Sequence, residues 1–263
     1  MTTISLPTLA AGPEAQLLNL ALAPQGLHAV YQPIVRLEDF HVVAHEGLMR
    51  VSGSAISPLV VLDAARRQAR LGELEIAAAR VVVAQYDYAS PDEHLLINVS
   101  THAILQDAIR PQALIDTLSE AGVDLRRFVI ELTERDIVEN VSRLGEAIGF
   151  LRANGVRLAL DDFGMGHSNF ELWLELAPEF VKLDRYLIDG ISRSPGRLSI
   201  VKALVQVADS LGTDLIAEGI EEWSDLEVVK DLGVRFGQGY LLGRPQSQPQ
   251  REMPEGVLRR WAN

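Results

Sequence analysis

Two adjacent carboxylates, Asp161 and Asp162, close the apolar run Leu158-Ala159-Leu160, and a loop with glycines two apart, Gly164 and Gly166, follows at once. Adjacent anions repel, and burying such a pair is costly unless a positive charge sits beside them. A divalent cation is the simplest answer, because hard cations take oxygen ligands. An exposed turn with both aspartates solvated is the other reading, since Asp and Gly are common turn residues. Other apolar runs are also interrupted or ended by a polar residue: Glu46, Asn98, Glu131, Lys182, Glu218 and Gln238. Each has a plain structural explanation. Glu46 could pair with an arginine, Glu131 with Arg126 or Arg127, and Asn98 could cap a turn. Lys182 could be a solvated strand end, and Glu218 and Gln238, each before a glycine, could belong to turns. Gathered in one place, however, the carboxylates would repel one another without cations. No cysteine and no evident inward pair of histidines favours Mg²⁺ or Mn²⁺ over zinc. Two such ions suit in-line displacement at a phosphodiester.

Positioning these groups requires a repeating frame. Residues 28–35 and 40–48 alternate like strands across a short connection, so they form an antiparallel hairpin. Further strands are expected at 94–99, 128–132, 156–160, 180–183, 214–217 and 234–240. Helices are expected at 14–22, from Ser57-Pro58, and at 73–88, 111–121, 141–151, 168–176, 198–208 and 224–232. Eight near-continuous apolar strands with helices between most of them predict an α/β fold, a TIM-like (β/α)₈ barrel with one antiparallel strand near the N-terminus. In a barrel the ends of those strands open on one mouth. An open doubly wound sheet is the alternative, but no Gly-x-Gly-x-x-Gly follows the first strand. The expected organisation is an arm and short helix at 1–24, a barrel domain at 25–246, and a tail with a short helix at 247–263.

The 263 residues and 48% apolar content support a sizeable core, and the net charge of −12 with no long basic run disfavours DNA, RNA or an anionic membrane as partner. No run approaches the ~18 apolar residues of a membrane span, and the N-terminus lacks the basic start of a signal peptide. A cytoplasmic protein is expected.

The motifs Tyr31-Gln32-Pro33-Ile34-Val35, Glu46-Gly47-Leu48 with Arg50, Asn98-Val99-Ser100, Glu131-Leu132-Thr133-Glu134, Asp161-Asp162-Phe163-Gly164, Val181-Lys182-Leu183-Asp184, Ala217-Glu218-Gly219-Ile220-Glu221 and Gln238-Gly239-Tyr240 resemble, in this order, those of EAL-domain cyclic-di-GMP phosphodiesterases. The resemblance implies a barrel with one reversed strand that opens cyclic di-GMP to linear pGpG with two magnesium or manganese ions, calcium inhibiting. It implies that Glu46, Asn98, Glu131 and Asp161 hold one ion, and that Asp161 bridges to a second, shared with Asp162. Lys182 orients the attacking water, and Glu218 acts at the second ion or as a base. Gln238 supports this shell through a bound water and is counted with the substrate-binding residues Gln32, Leu48 and Arg50. Gln32 lies against a guanine and Arg50 grips a phosphate. Phe163, Gly164 and Gly166 belong to a loop coupling substrate to a homodimer interface, with Glu134 and Glu221 supporting it. No sensor domain is recognisable, so control by expression, oligomerisation or a protein partner in trans is expected.

Four positions depart from the family pattern: Gly47 for alanine, Val51 for tryptophan, Met165 for threonine and His167 for tyrosine. Glycine at 47 is expected to loosen its strand. None removes a metal ligand, so they bear on rate and regulation more than on competence. A weakly active or inactive cyclic-di-GMP receptor acting through a partner is the alternative, and the retained ligands weigh against it. A glycosidase carboxylate pair would leave Lys182 and the double aspartate unexplained.

Overall fold

The computed structural model describes residues 13–105, 109–133, 140–164 and 170–261. Eight strands close into a barrel in chain order: β1 (Leu27–Arg36), β2 (His41–Val51), β3 (His94–Ser100), β4 (Phe128–Thr133), β5 (Arg157–Phe163), β6 (Phe180–Leu183), β7 (Asp214–Ala217) and β8 (Phe236–Gly237). β1 runs antiparallel to both β2 and β8, and every other neighbouring pair is parallel. The expected barrel with one reversed strand is the observed one.

Helices cover the outside because each parallel crossover needs one. The helix Pro195–Leu211 illustrates the local logic. Ser194 accepts from the Arg197 N–H at its start, Pro195 occupies the first turn, and Gly212 ends it at φ +70°. Val201, Leu204 and Ala208 form its buried stripe. The main core lies between strands and helices, and a smaller apolar layer of Ile34, Ala44, Leu96, Val129, Ala159 and Ile216 fills the barrel interior.

Side chains alternate across a strand, so on the parallel strands β2 to β8 the residue two positions beyond each plug residue also faces inward, one layer higher. Ala44 is followed in this way by Glu46, Leu96 by Asn98, Val129 by Glu131, Ala159 by Asp161 and Ile216 by Glu218. Phe180 and Phe236, packed against the same layer, lead likewise to Lys182 and Gln238. The apolar plug is thus the floor of a polar bowl.

Several boundaries differ from expectation, among them β2, which runs on to Val51. β5 runs on to Phe163 and carries both aspartates inside the strand. Its register against β6 shifts between Leu160 and Phe163, and Asp162 takes φ +53°. β8 holds only Phe236–Gly237 rather than 234–240. Beyond it the chain folds onto the backbone of Ile220, whose N–H donates to Gln238 O at 3.1 Å. A Cβ at Gly239 would lie 2.1 Å from the Ile220 carbonyl oxygen. The helix expected at 73–88 spans Leu71–Gln85.

Candidate active site

Lys182 stands at the centre of the bowl, 1% exposed on β6. Its Nζ lies 2.6 Å from Glu131 Oε1, 2.7 Å from Glu218 Oε1, 3.2 Å from Asp161 Oδ1 and 3.3 Å from Glu46 Oε2. Four strands thus place a carboxylate on one ammonium. Glu46 is also held by Asn98 Nδ2 at 2.9 Å and by Gln238 Nε2 at 2.9 Å. Glu131 therefore faces Lys182, while Arg126 pairs with Asp124 instead.

The electrostatics are strained in one direction. Burial, together with the charges of Asp161 and Glu46, pushes the Glu131 carboxyl well above the usual range. Burial pushes Glu218 up to about 8, against the pull of Lys182. The surrounding carboxylates raise Lys182 well above its ordinary value, overcoming its own desolvation. One lysine does not neutralise this group.

Two observations match the donor set to cations. Asp161, Asp162 and Glu218 each offer an oxygen within 4.8 Å of the others. Glu131 Oε2, Asp161 Oδ1 and Gln238 Oε1 are buried with no hydrogen-bond partner. The 3.2 Å approach of Lys182 to Asp161 Oδ1 is an ion pair lacking hydrogen-bond alignment, so that oxygen keeps a free lone pair. All-oxygen ligands with orphaned acceptors suit magnesium or manganese. The irregularity in β5 explains how neighbours in sequence share the site. In a regular strand Asp161 and Asp162 would face opposite sides, whereas a bulge re-aims side chains.

A cavity of about 400 Å³ opens beside these acids, lined by Leu48, Arg50, Asn98, Asp161 and Asp162 and walled by Leu62, Ala79 and Val82. Arg50 donates to its neighbour's carbonyl, Met49 O, at 2.8 Å. Gln32 Nε2 donates to Gly243 O at 3.1 Å. Glu221 pairs with Arg185 at 2.7 Å, and Phe163 packs edge-on against Phe170 and Trp173. Gly164 takes φ +110°, where a side chain would strike Leu187. Glu134 and Gly166, with Met165 and His167, lie outside the described residues.

Gly47 lies within β2, in register with Tyr31 and Ile97. A Cβ there would come within 2.2 Å of Val82 Cγ1, so the helix Leu71–Gln85 fills the space of the absent methyl.

One cavity residue escapes the strand-end reasoning. Glu75 sits on the helix Leu71–Gln85, is 7% exposed, and accepts from the Ser100 N–H at 3.1 Å. Burial pushes its carboxyl up to about 7. The available signal was an acid on an apolar helix stripe, four residues after Leu71 and four before Ala79.

A family model described as EAL domain matches residues 15–245. The cyclic di-GMP phosphodiesterase PA2567 of Pseudomonas aeruginosa is 30% identical over 241 residues, covering 87% of this chain and 40% of the relative. The probable cyclic di-GMP phosphodiesterase PdeB of Escherichia coli is 28% identical over 238 residues, covering 88% and 44%. The chain therefore spans less than half the length of these two relatives. Klebsiella pneumoniae BlrP1, solved as a calcium and cyclic di-GMP complex, superposes with a TM-score of 0.76 at 26% identity, covering 84% of this chain and 56% of that one.

Proposed function

The chain belongs to the EAL domain family, and we propose that it hydrolyses cyclic di-GMP to linear pGpG at the acidic mouth of its barrel. The observation that carries this reading is the convergence of Glu46, Glu131, Asp161 and Glu218 on Lys182, with acceptors left over. With Asp162, five carboxylates against one ammonium leave four negative charges, which two divalent cations would balance.

Glu46, Asn98, Glu131 and Asp161 would hold one ion, and Asp161 with Asp162 and Glu218 the other. Magnesium or manganese bound there supplies Lewis-acid activation of water and of the phosphoryl group. Lys182 orients the attacking water, and Glu218, whose Oε1 lies 2.7 Å from the same ammonium, would act at the second ion or as the base. One phosphorus–oxygen bond of the ring breaks, and water supplies hydroxyl to phosphorus and a proton to the released sugar oxygen. Arg50 grips a phosphate and Leu48 packs beside it. Gln32 contacts a guanine, and Gln238 keeps Glu46 in place. Glu75 offers the cavity's apolar side a carboxyl that suits the adjacent N–H groups of a guanine edge. Calcium, with its looser shell, inhibits.

Residues 25–246 form the catalytic unit in this reading, flanked by 1–24 and 247–263. Phe163 at the end of β5, with Gly164 and Glu221, would link the site to a homodimer interface or a partner in trans, a role the sequence extends to Glu134 and Gly166. No described helix is long and apolar enough to cross a membrane. The absence of cysteine suits a reducing compartment, and we place the protein in the cytoplasm.

The test is incubation of the pure protein with cyclic di-GMP and Mn²⁺, Mg²⁺ or EDTA, followed by chromatography for pGpG. Metal-dependent pGpG that is lost in Glu46→Ala is expected. Tight binding without turnover under any of the metals would instead identify a receptor.

A further inference from the structure

The barrel has a second mouth, built by the same alternation in the other direction. Two residues before the apolar plug, His94 precedes Leu96, Arg127 precedes Val129 and Arg157 precedes Ala159. On β3, β4 and β5 the layer below the plug is thus basic, while Asp214, two residues before Ile216, is paired with Arg235. Together with Arg126, the residues His94, Arg127 and Arg157 line a cavity of about 800 Å³ on the face opposite the acidic bowl.

The guanidinium groups here are only partly satisfied. Arg157 Nη2 donates to His94 Nδ1 at 2.6 Å and to Arg126 O at 3.3 Å, while its Nε is buried without a partner. Arg127 donates through Nε to Glu93 O at 3.2 Å and through Nη2 to Ser90 O. Those partners are uncharged. Phe180 lies 5.4 Å from the Arg157 guanidinium and Tyr88 lies 5.3 Å from that of Arg127, which shields both from water on one side.

The nearby acids are engaged elsewhere or fewer in number. Asp124 is held by Arg126. Glu179, the carboxylate whose field reaches Arg157, takes Arg152 at 3.1 and 3.2 Å and the Leu158 N–H at 2.8 Å. Among the described residues no carboxylate pairs within 4.0 Å of Arg127 or Arg157. Three guanidiniums therefore face two lining carboxylates, Asp92 and Asp124. Burial and the two arginines push His94 down to about 4, so it is a neutral acceptor for Arg157 and not a competing cation.

Planar forks with unused donors, set against aromatic rings, match the oxygens of a compact oxyanion. We propose that this N-terminal mouth of the barrel binds a phosphate group, free or carried by a nucleotide, between Arg127 and Arg157, with Arg126 at its rim. The site lies on the face opposite the acidic bowl and stands independently of the activity proposed above.

The test uses the full chain in EDTA, so that no metal holds phosphate at the acidic bowl. Inorganic phosphate, pyrophosphate and 5′-GMP are titrated at constant ionic strength against thermal unfolding, with the wild type beside Arg127→Gln/Arg157→Gln. A rise in melting temperature for the wild type that the double variant lacks is expected. Labelling of Arg126 by phenylglyoxal, in the wild type alone, covers the case of a variant that does not fold. The Arg126 side chain is 79% exposed, as is that of Arg259, which serves as control. At ten times the dissociation constant the ligand slows Arg126 labelling about tenfold and leaves Arg259 unchanged. Protection by phosphate and pyrophosphate assigns a free anion, whereas protection by 5′-GMP at lower concentration assigns a nucleotide. Unchanged Arg126 labelling with all three would overturn the proposal, and so would equal stabilisation of wild type and a folded double variant.

Discussion

Lys182 Nζ lies 2.6 Å from Glu131 Oε1, and both side chains are withdrawn from solvent inside the acidic bowl. This pair, with Glu46, Asp161 and Glu218 around it, makes the ammonium the counter-charge that the chain itself supplies to these acids. Removing one partner of a buried ion pair costs about 3–5 kcal/mol, because the other charges lose their compensation. Lys182→Met should therefore lower the melting temperature strongly in EDTA. Saturating Mn²⁺ should restore most of the loss, while turnover of cyclic di-GMP stays down by about 100-fold or more. Equal destabilisation with and without metal would contradict this account.

Asp161 and Asp162 are neighbours with unequal duties. Asp161 faces Lys182 and the other acids, whereas Asp162 occupies the bulge at φ +53°. Asp161→Asn should abolish turnover and weaken both ions. Asp162→Asn should weaken one ion, and asparagine tolerates the left-handed backbone. Calorimetric titration with Mn²⁺ counts the sites, and one strong site should survive only in Asp162→Asn.

The contact between Gly47 and Val82 predicts a compensating pair. Gly47→Ala drives a methyl into Val82 and should cost about 1–3 kcal/mol. Val82→Ala alone opens a cavity and should also destabilise. Together they should cost less than the sum by about 1 kcal/mol or more, measured by urea unfolding in a double-mutant cycle. Additive losses would mean that the two side chains do not compete for this space.

Glu75 gives a pH dependence of known sign. Its folded carboxyl titrates near 7 because of burial, above the ordinary unfolded value. The folded state thus holds an extra proton between those two values. Its contribution to stability is complete below the unfolded pKa and is lost as pH rises through about 7. Glu75→Gln should remove that slope, reducing the loss of stability from pH 5 to pH 8 by on the order of 2 kcal/mol. Chemical unfolding in EDTA at the two pH values measures it, and an unchanged slope would place the titration elsewhere.

The barrel and most of the bowl were legible from the pattern of residues along the chain. Near-continuous apolar strands require cover on both faces, and a polar residue ending such a run has few places to go. Glu46, Asn98, Glu131, Asp161, Lys182, Glu218 and Gln238 were legible for that reason. Which of them meet follows from closure of the barrel. Residues 46 and 238 are brought to 2.9 Å by barrel closure, a relation that no local periodicity encodes. The bulge that lets Asp162 join Asp161 depends on the pairing of β5 with β6, since a strand pattern assigns neighbours to opposite faces. Glu75 reaches the cavity from a covering helix, and Val82 fills the space left by Gly47. The basic mouth was hidden because Arg127 and Arg157 read as ordinary charges at strand starts, until closure placed them on one side of the same apolar plug.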